Sequence, residues 1–344
     1  MQKTLSDSRI SGLDRLLNFL GMSPLAILGI FLLVIAPLVP PFNQEYMIRW
    51  MVTAGFIAAA SIAFDFTVGF INIVNFGFYA ILGLGGYTSA IIVTNLGLPV
   101  WTGFIFAALS AGILGFLLGL LTLRLRGVFA AVMAWFVGLA LMGLATKLVW
   151  LTRGPAGFRS PLLFSTSSNA PYYYLIIITM LLIYLLTHRV IHSHYGLAFK
   201  AIGQNMDAAR TSGINPTYYR IVNFTISCTM AGWLGGFYAH YYGILTPDIM
   251  QTAKTVEVLA VAYIGGRGSL WGGAVVAFPF IIAMELVRSS LSNLPGLNLI
   301  IYGMLLVVVM IYYPGGVANF FKTYFSGMKN GVLKYFITGP ETVK

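Results

Sequence analysis

The sequence predicts an all-α, polytopic integral membrane fold of about ten transmembrane helices, and three observations carry that prediction. Of its residues 58% are hydrophobic and only 8% charged, where an ordinary soluble domain carries about 25% charged residues. The apolar runs are about 15 to 23 residues long, which suits helices crossing a hydrocarbon core of about 30 Å and not barrel strands of about 10 residues. Strand-type alternation is missing, and every backbone polar group at membrane depth must bond internally, so a helical bundle follows.

The elements follow in order. Residues 1–23 are charged and read as a cytoplasmic segment. The first span, 24–40, ends in "PLVPP". It reads as a retained helix, because a signal peptide has a shorter polar region and a small-residue cleavage site. Further spans are expected at 47–66, 75–94, 101–122, 127–149, 172–190, 218–241, 255–266, 270–290 and 297–313. The span at 255–266 is too short to cross alone, so it either starts near Ile249 or is a half-crossing element shielded by protein. The membrane domain thus covers 24–320, with 193–215 as an internal cytoplasmic loop and 321–344 as a cytoplasmic tail.

The net charge of +11 sits in short loops and tails, without an aromatic-basic stripe. It therefore speaks for orientation in a cell membrane and lipid contact, and against nucleic acid. With the N-terminus inside, fourteen Lys and Arg fall on the cytoplasmic side and six on the other, which predicts an N-in, C-in topology. The single cysteine, Cys228, lies in an apolar run and reads as packing. "LGLGGYTSA" echoes "GWLGGFYAH", and "RLRGVFAAV" echoes "GGRGSLWGG". Each pair falls on spans of equal orientation, as a parallel internal repeat requires.

The longest polar stretch inside the chain is "SHYGLAFKAIGQNMDAARTSGIN", 193–215. Tyr195, Ala198, Phe199 and Ile202 recur at helical spacing, Gly203 is expected to interrupt that helix, and "QNMDAARTSG" reads as a second short one. Asn205 suits its cap, Asp207 its positive first turn, and Gly213 a left-handed stop. Spacing alone leaves two readings, a partner-docking module and a folded, solvated loop.

The motifs within that stretch carry a resemblance. "DAARTSG" is similar to the E-A-A-x-x-x-G coupling loop of bacterial ABC importer permeases, with Asp207 in place of Glu. The longer run resembles that of LivM-type permeases of branched-chain amino acid ABC transporters. "LRLRGVFAAV", "RGPAGF", "SCTMAGWLGGFYA", "VEVLAVAYIGGRGSLWGGAV" and "YPGGV" each look like blocks of that family, in order. The chain departs at Asn75, Phe76, Gly77 and Phe78, where the family has a Ser-Leu-Gly-His-like tetrad, which bears on the solute. It departs again at Gly203 and Gln204, in place of an Arg-Glu pair, which bears on docking contacts.

The resemblance implies an importer subunit that docks ATPases through Gly196, Lys200, Ala201, Asn205, Asp207, Ala208, Ala209, Arg210 and Gly213. It also implies two ATPase subunits, a homologous LivH-type permease partner and an extracytoplasmic solute-binding protein that meets outer loops such as 151–171. The implied solute is a branched-chain or other hydrophobic amino acid; urea, short amides and small organic acids are the alternatives. No cofactor is implied. The residues agree with borrowed energy: no GxxxxGK[ST] phosphate loop occurs, and "GGRGSLWGG" reads as a tight turn. The rival reading is a secondary transporter or channel acting alone, which calls for a charged relay that the spans lack. A membrane enzyme is further off, since no nucleophile-base pair lies at membrane depth.

Pathway candidates are the polar and glycine positions at expected breaks or at depth: Asn72, Asn75, Gly85, Gly86, Glu257, Gly265 and Gly266. Glu257 is either a pathway residue or a structural latch, and the glycines serve either close packing or a broken helix end that receives a zwitterionic solute. Asp65 is expected at the interface. Glu285 and Arg288 are one turn apart and suit a surface ion pair. His188, His192 and His194 read as an interfacial cap instead of a metal site, because no carboxylate adjoins them.

Overall fold

The computed structural model describes residues 24–40, 42–122, 125, 127–166, 168–290, 300, 303–304, 307 and 311. The segments 1–23 and 321–344, most of the span expected at 297–313 and the side chain of Arg288 lie outside the described residues.

The described chain is helical almost throughout. It runs α1 (Pro24–Ile35), α2 (Glu45–Ile71), α3 (Phe78–Leu96), α4 (Val100–Leu121), α5 (Val128–Lys147), the single turn α6 (Val149–Thr152), and α7 (Ala170–Ile191). Then follow α8 (His194–Gln204), α9 (Met206–Thr211), α10 (Pro216–Tyr242), α11 (Thr252–Gly265) and α12 (Trp271–Ser290). A two-residue strand, β1 (Phe158–Arg159), pairs antiparallel with β2 (Ile244–Leu245). Five helices, α2, α3, α4, α5 and α7, are long and apolar enough to cross a membrane. The helix at the short eighth span, α11, has 14 residues, about 21 Å at 1.5 Å per residue. It is preceded by a 3-10 turn, Pro247–Met250, instead of extending back to Ile249.

Helix α2 is the centre of the bundle, packed against α7, α10, α11 and α12. It runs antiparallel to α10, since Asn223 Nδ2 donates to the Phe66 carbonyl at 2.9 Å and Ser227 Oγ to that of Ala63 at 2.7 Å. Nearer the other end Phe56 stacks on Phe237. Helix α10 is held between α3 and α4 by small residues. A Cβ on Gly85 would lie 2.6 Å from Gly232 Cα, and Gly112, Gly115 and Gly119 of α4 face Thr229, Cys228 and Ile221. Without a hydrophobic force between helices in lipid, such close backbone approach is a main source of association. The two echoing segments, in α3 and α10, therefore pack on each other side by side, and Cys228 is a buried packing residue.

The bundle has two dissimilar ends. At one, the α8–α9 loop, the connection after α2 and the turn between α11 and α12 come together. At the other, β1 and β2 pair, and Glu45 accepts hydrogen bonds from the Asn169 backbone and side chain at 3.0 and 2.9 Å.

Candidate functional site

The polar loop folds as two helices with specified ends. Ser193 opens α8 by accepting a hydrogen bond from the Tyr195 N–H at 3.2 Å. Ala198, Phe199 and Ile202 are buried, and the Phe199 ring meets Phe66 of α2 edge-on at 5.7 Å. The break expected at Gly203 falls two residues later. Gly203 lies within α8, where a side chain would collide with the Phe70 carbonyl, so glycine there permits helix docking instead of ending the helix. The break is at Asn205, whose extended backbone leaves α8, and whose Oδ1 accepts from the N–H groups of Asp207 and Ala208, both at 3.0 Å. At the far end the Ile214 N–H donates to Ala209 and the Gly213 N–H to Arg210. Gly213 has φ +82°, and together these make a Schellman stop that needs a left-handed residue.

Lys200, Asn205, Asp207, Ala208, Arg210 and Gly213 are exposed, Ala201 is half-buried, and Gly196 and Ala209 are buried. Gly196 sits against the Ile191 backbone, where a side chain has no room. The exposed face also carries Leu197, 70% exposed, which the sequence reading missed. Its signal was available: it stands one position before Ala198 and three before Lys200, on the helix face away from the buried stripe. Arg220 was also missed beyond its charge. It is buried, and its guanidinium donates to Met206 Sδ at 3.8 Å and to the Leu125 carbonyl at 3.3 Å, tying α9 to the connection between α4 and α5.

The connection after α2 lies beside this loop. Asn72 ends α2 in the left-handed region at φ 58°, and its Oδ1 accepts from Arg267 Nη1 at 3.1 Å. The chain then folds back, so that Phe78 at the start of α3 packs edge-on against Phe64 at 5.5 Å. Asn75 is buried, and its Oδ1 accepts the Gly77 N–H at 3.1 Å while its Nδ2 has no partner. Thr255 Oγ1 accepts the Tyr79 N–H at 3.2 Å. The N–H groups of Gly77, Phe78 and Tyr79 thus have partners within the chain.

Gly85 and Gly86 are buried against Gly232 and Gly235 of α10, the close-packing arrangement. Gly265 and Gly266 lie at the α11–α12 turn, where Gly265 abuts Gly272 and Gly273, and Gly266 has φ +106°. Glu257 is part-buried on α11 and pairs with Lys254 at 3.6 Å, one helical turn away. Asp65, expected at the interface, is instead buried inside the bundle, 4% exposed. His188 and His192 stack with ring centroids 4.0 Å apart, and no group of three His, Cys, Asp or Glu residues among those described could hold a metal ion.

The opposite end holds a polar centre that sequence reasoning did not single out. His240 of α10 is fully buried. Its Nδ1 lies 2.7 Å from the Pro161 carbonyl and 2.9 Å from Ser160 Oγ, and its Nε2 is 2.8 Å from Ser89 Oγ of α3. The carbonyl requires Nδ1–H, so Nε2 accepts from Ser89. The histidine joins two helices to the irregular chain around β1.

With this geometry in place, comparison with known proteins is decisive. The family described as Branched-chain amino acid transport system / permease component matches residues 46–310. The chain belongs to that family. It is similar to the High-affinity branched-chain amino acid transport system permease protein LivM of Escherichia coli K12, 28% identical over 286 residues, covering 75% of this chain and 65% of that one. The LivM protein of Salmonella typhimurium is also 28% identical, covering 70% of this chain and 61% of its own length. The match thus spans less than two thirds of either relative. The Autoinducer 2 import system permease protein LsrC of Yersinia pseudotuberculosis is 29% identical, covering 57% of this chain and 59% of its own. No solved structure matches. As a member of that permease family the protein is a multi-pass membrane protein.

Proposed function

We propose that this chain is the membrane-spanning permease subunit of an ATP-binding cassette importer, forming the pathway for branched-chain amino acids while separate subunits hydrolyse ATP. The observation that carries the reading is the capped α8–α9 pair. It presents Leu197, Lys200, Asp207, Ala208 and Arg210 outward, while its inner face is seated directly on α2 through Gly203 and Phe199. A solvated connector has no need of two caps, a Schellman stop and a backbone-to-backbone seat. A lever that transmits rigid-body motion does.

In this reading the end with α8 and α9 is cytoplasmic, two ATPase subunits dock there, and a LivH-type permease completes the membrane core. An extracytoplasmic binding protein delivers solute at the end with β1, β2 and residues 151–171. Asn72, Asn75, Gly265 and Gly266, at the two breaks, and Glu257 on α11 stand nearest the proposed pathway, while Gly85 and Gly86 shape the packing around it.

The reading is tested in proteoliposomes with the purified complex. Asp207→Lys and Gly213→Val are expected to lower ATP-dependent uptake and the amount of ATPase that co-purifies. Normal uptake by this chain alone, without any ATPase, overturns it. Leucine, urea, a short amide and autoinducer 2, offered in competition, separate the solute classes.

A further inference from the structure

The last turns of α2 touch two features at once. Toward the coupling helices, Gly203 of α8 sits on the Phe70 carbonyl, the Phe199 ring lies edge-on to Phe66, and Lys200 Nζ stands 6.0 Å over the Phe70 ring. Toward the α11–α12 turn, one residue earlier, Gly69 is packed so closely that a Cβ would lie 2.6 Å from Gly268 Cα. Four residues before Gly69, Asp65 reaches the same turn. Its Oδ1 and Oδ2 accept the Gly268 N–H at 2.8 and 3.0 Å, and Oδ2 accepts the Leu270 N–H at 3.3 Å. Asn72 adds the contact to Arg267.

That turn is costly to hold. Gly266, Gly268 and Leu270 all have positive φ, at 106, 77 and 56°, and for leucine the left-handed conformation is sterically disfavoured. Such a backbone persists only where its surroundings over-determine it. The Asp65 side chain, an acceptor at both oxygens, supplies the directed bonds that do so. An acid at 4% exposure inside an apolar bundle is otherwise expensive, and here its cost is offset by fixing one loop to one helix.

We propose that Asp65 is a positioning residue that locks the 266–270 turn to the end of α2, so that α8, the end of α2 and this turn move as one body when ATPases act on the coupling helices. The inference rests on the importer reading, and extends it by naming what the lever moves: the N-terminus of α12 and the C-terminus of α11, through α2. Helix α10, whose Asn223 and Ser227 hold the same stretch of α2, is the axis against which the body shifts.

The test uses the complete transporter in lipid nanodiscs and proteoliposomes, with spin labels at Gln204→Cys and Ser269→Cys in a Cys228→Ala background. With Asp65 present, the distance between the labels is expected to stay narrow and equal in the nucleotide-free and ATP-trapped states. In Asp65→Asn, one acceptor oxygen becomes a donor facing the N–H groups of the turn. The distance distribution then broadens, ATPase activity stays within about twofold, and solute carried per ATP falls about tenfold.

A change of the label distance with nucleotide while Asp65 is present overturns the proposal, and that measurement stands even if Asp65→Asn fails to assemble. An Asp65→Asn complex with native coupling also overturns it. Failure of the importer reading shows elsewhere, as absence of any ATP-dependent uptake by the unaltered complex.

Discussion

The two ends of the bundle are held in different ways. At the end with α8 and α9, backbone meets backbone at Gly203 on the Phe70 carbonyl and Gly69 on Gly268, joined by a carboxylate on two N–H groups. At the hairpin end, side chains reach into irregular chain. His240 binds Pro161, Ser160 and Ser89, Tyr172 takes the Phe164 N–H, and Tyr87 reaches the Leu245 carbonyl. The first arrangement joins the parts through backbone contacts and one short side chain, Asp65. The second pins a long loop that, among the described residues, forms a sheet of two residues in each strand. A lever needs the former; a surface that must keep one shape for an incoming partner is served by the latter.

The largest effect should come from filling a backbone joint. Gly203→Leu forces a side chain into the Phe70 carbonyl, and overpacking of this kind costs about 1–3 kcal/mol or more; thermal unfolding in detergent should fall by several degrees and uptake should be lost. If Gly203→Leu is folded and active, the contrast between the ends fails.

Next, His240→Leu leaves Ser89, Ser160 and the Pro161 carbonyl without their partner, each such buried group costing about 1–3 kcal/mol before relaxation. Proteolysis of residues 151–171 should accelerate while ATPase co-purification is kept, since the lesion lies at the far end. Loss of ATPase binding in this variant would show that the ends are not independent.

A smaller change is expected for Ser227→Ala, which removes one interhelical bond to the Ala63 carbonyl, worth about 0.6 and at most about 1.7 kcal/mol in a membrane. Smallest is Phe136→Leu on the exposed face of α5, 61% exposed, where a shift within about 0.5 kcal/mol is expected by the same unfolding measurement.

The caps of α8 and α9 were legible in the sequence because each is a local event. Asn205 and the groups it caps are at most three residues apart, and Gly213 acts on the turn that it ends. The misplaced break at Gly203 has the opposite origin. A glycine in a helix reads as an interruption until its neighbour is known, and that neighbour, Phe70, is far away in the chain. The same holds for Asp65, whose partner Gly268 lies 203 residues on, and for His240, whose partners lie 79 and more residues away.

Sequence alone therefore determined the helical membrane class of the protein, the approximate place of its described apolar helices, and the cap and stop of α9 at Asn205 and Gly213. Hydropathy and capping are read within one helix, and either lipid or protein satisfies an apolar side chain equally well. For that reason hydropathy did not tell the core from the rim. Helices α2 and α5 are both apolar enough to cross a membrane, yet 94% of the apolar window of α2 is buried inside the protein against 28% of that of α5. Only the tertiary structure decided that α2 lies at the centre of the bundle, that Gly85 and Gly86 face Gly232 and Gly235, and that a buried aspartate reaches a distant turn. Those contacts join residues far apart in the chain, and no local preference encodes which ones meet.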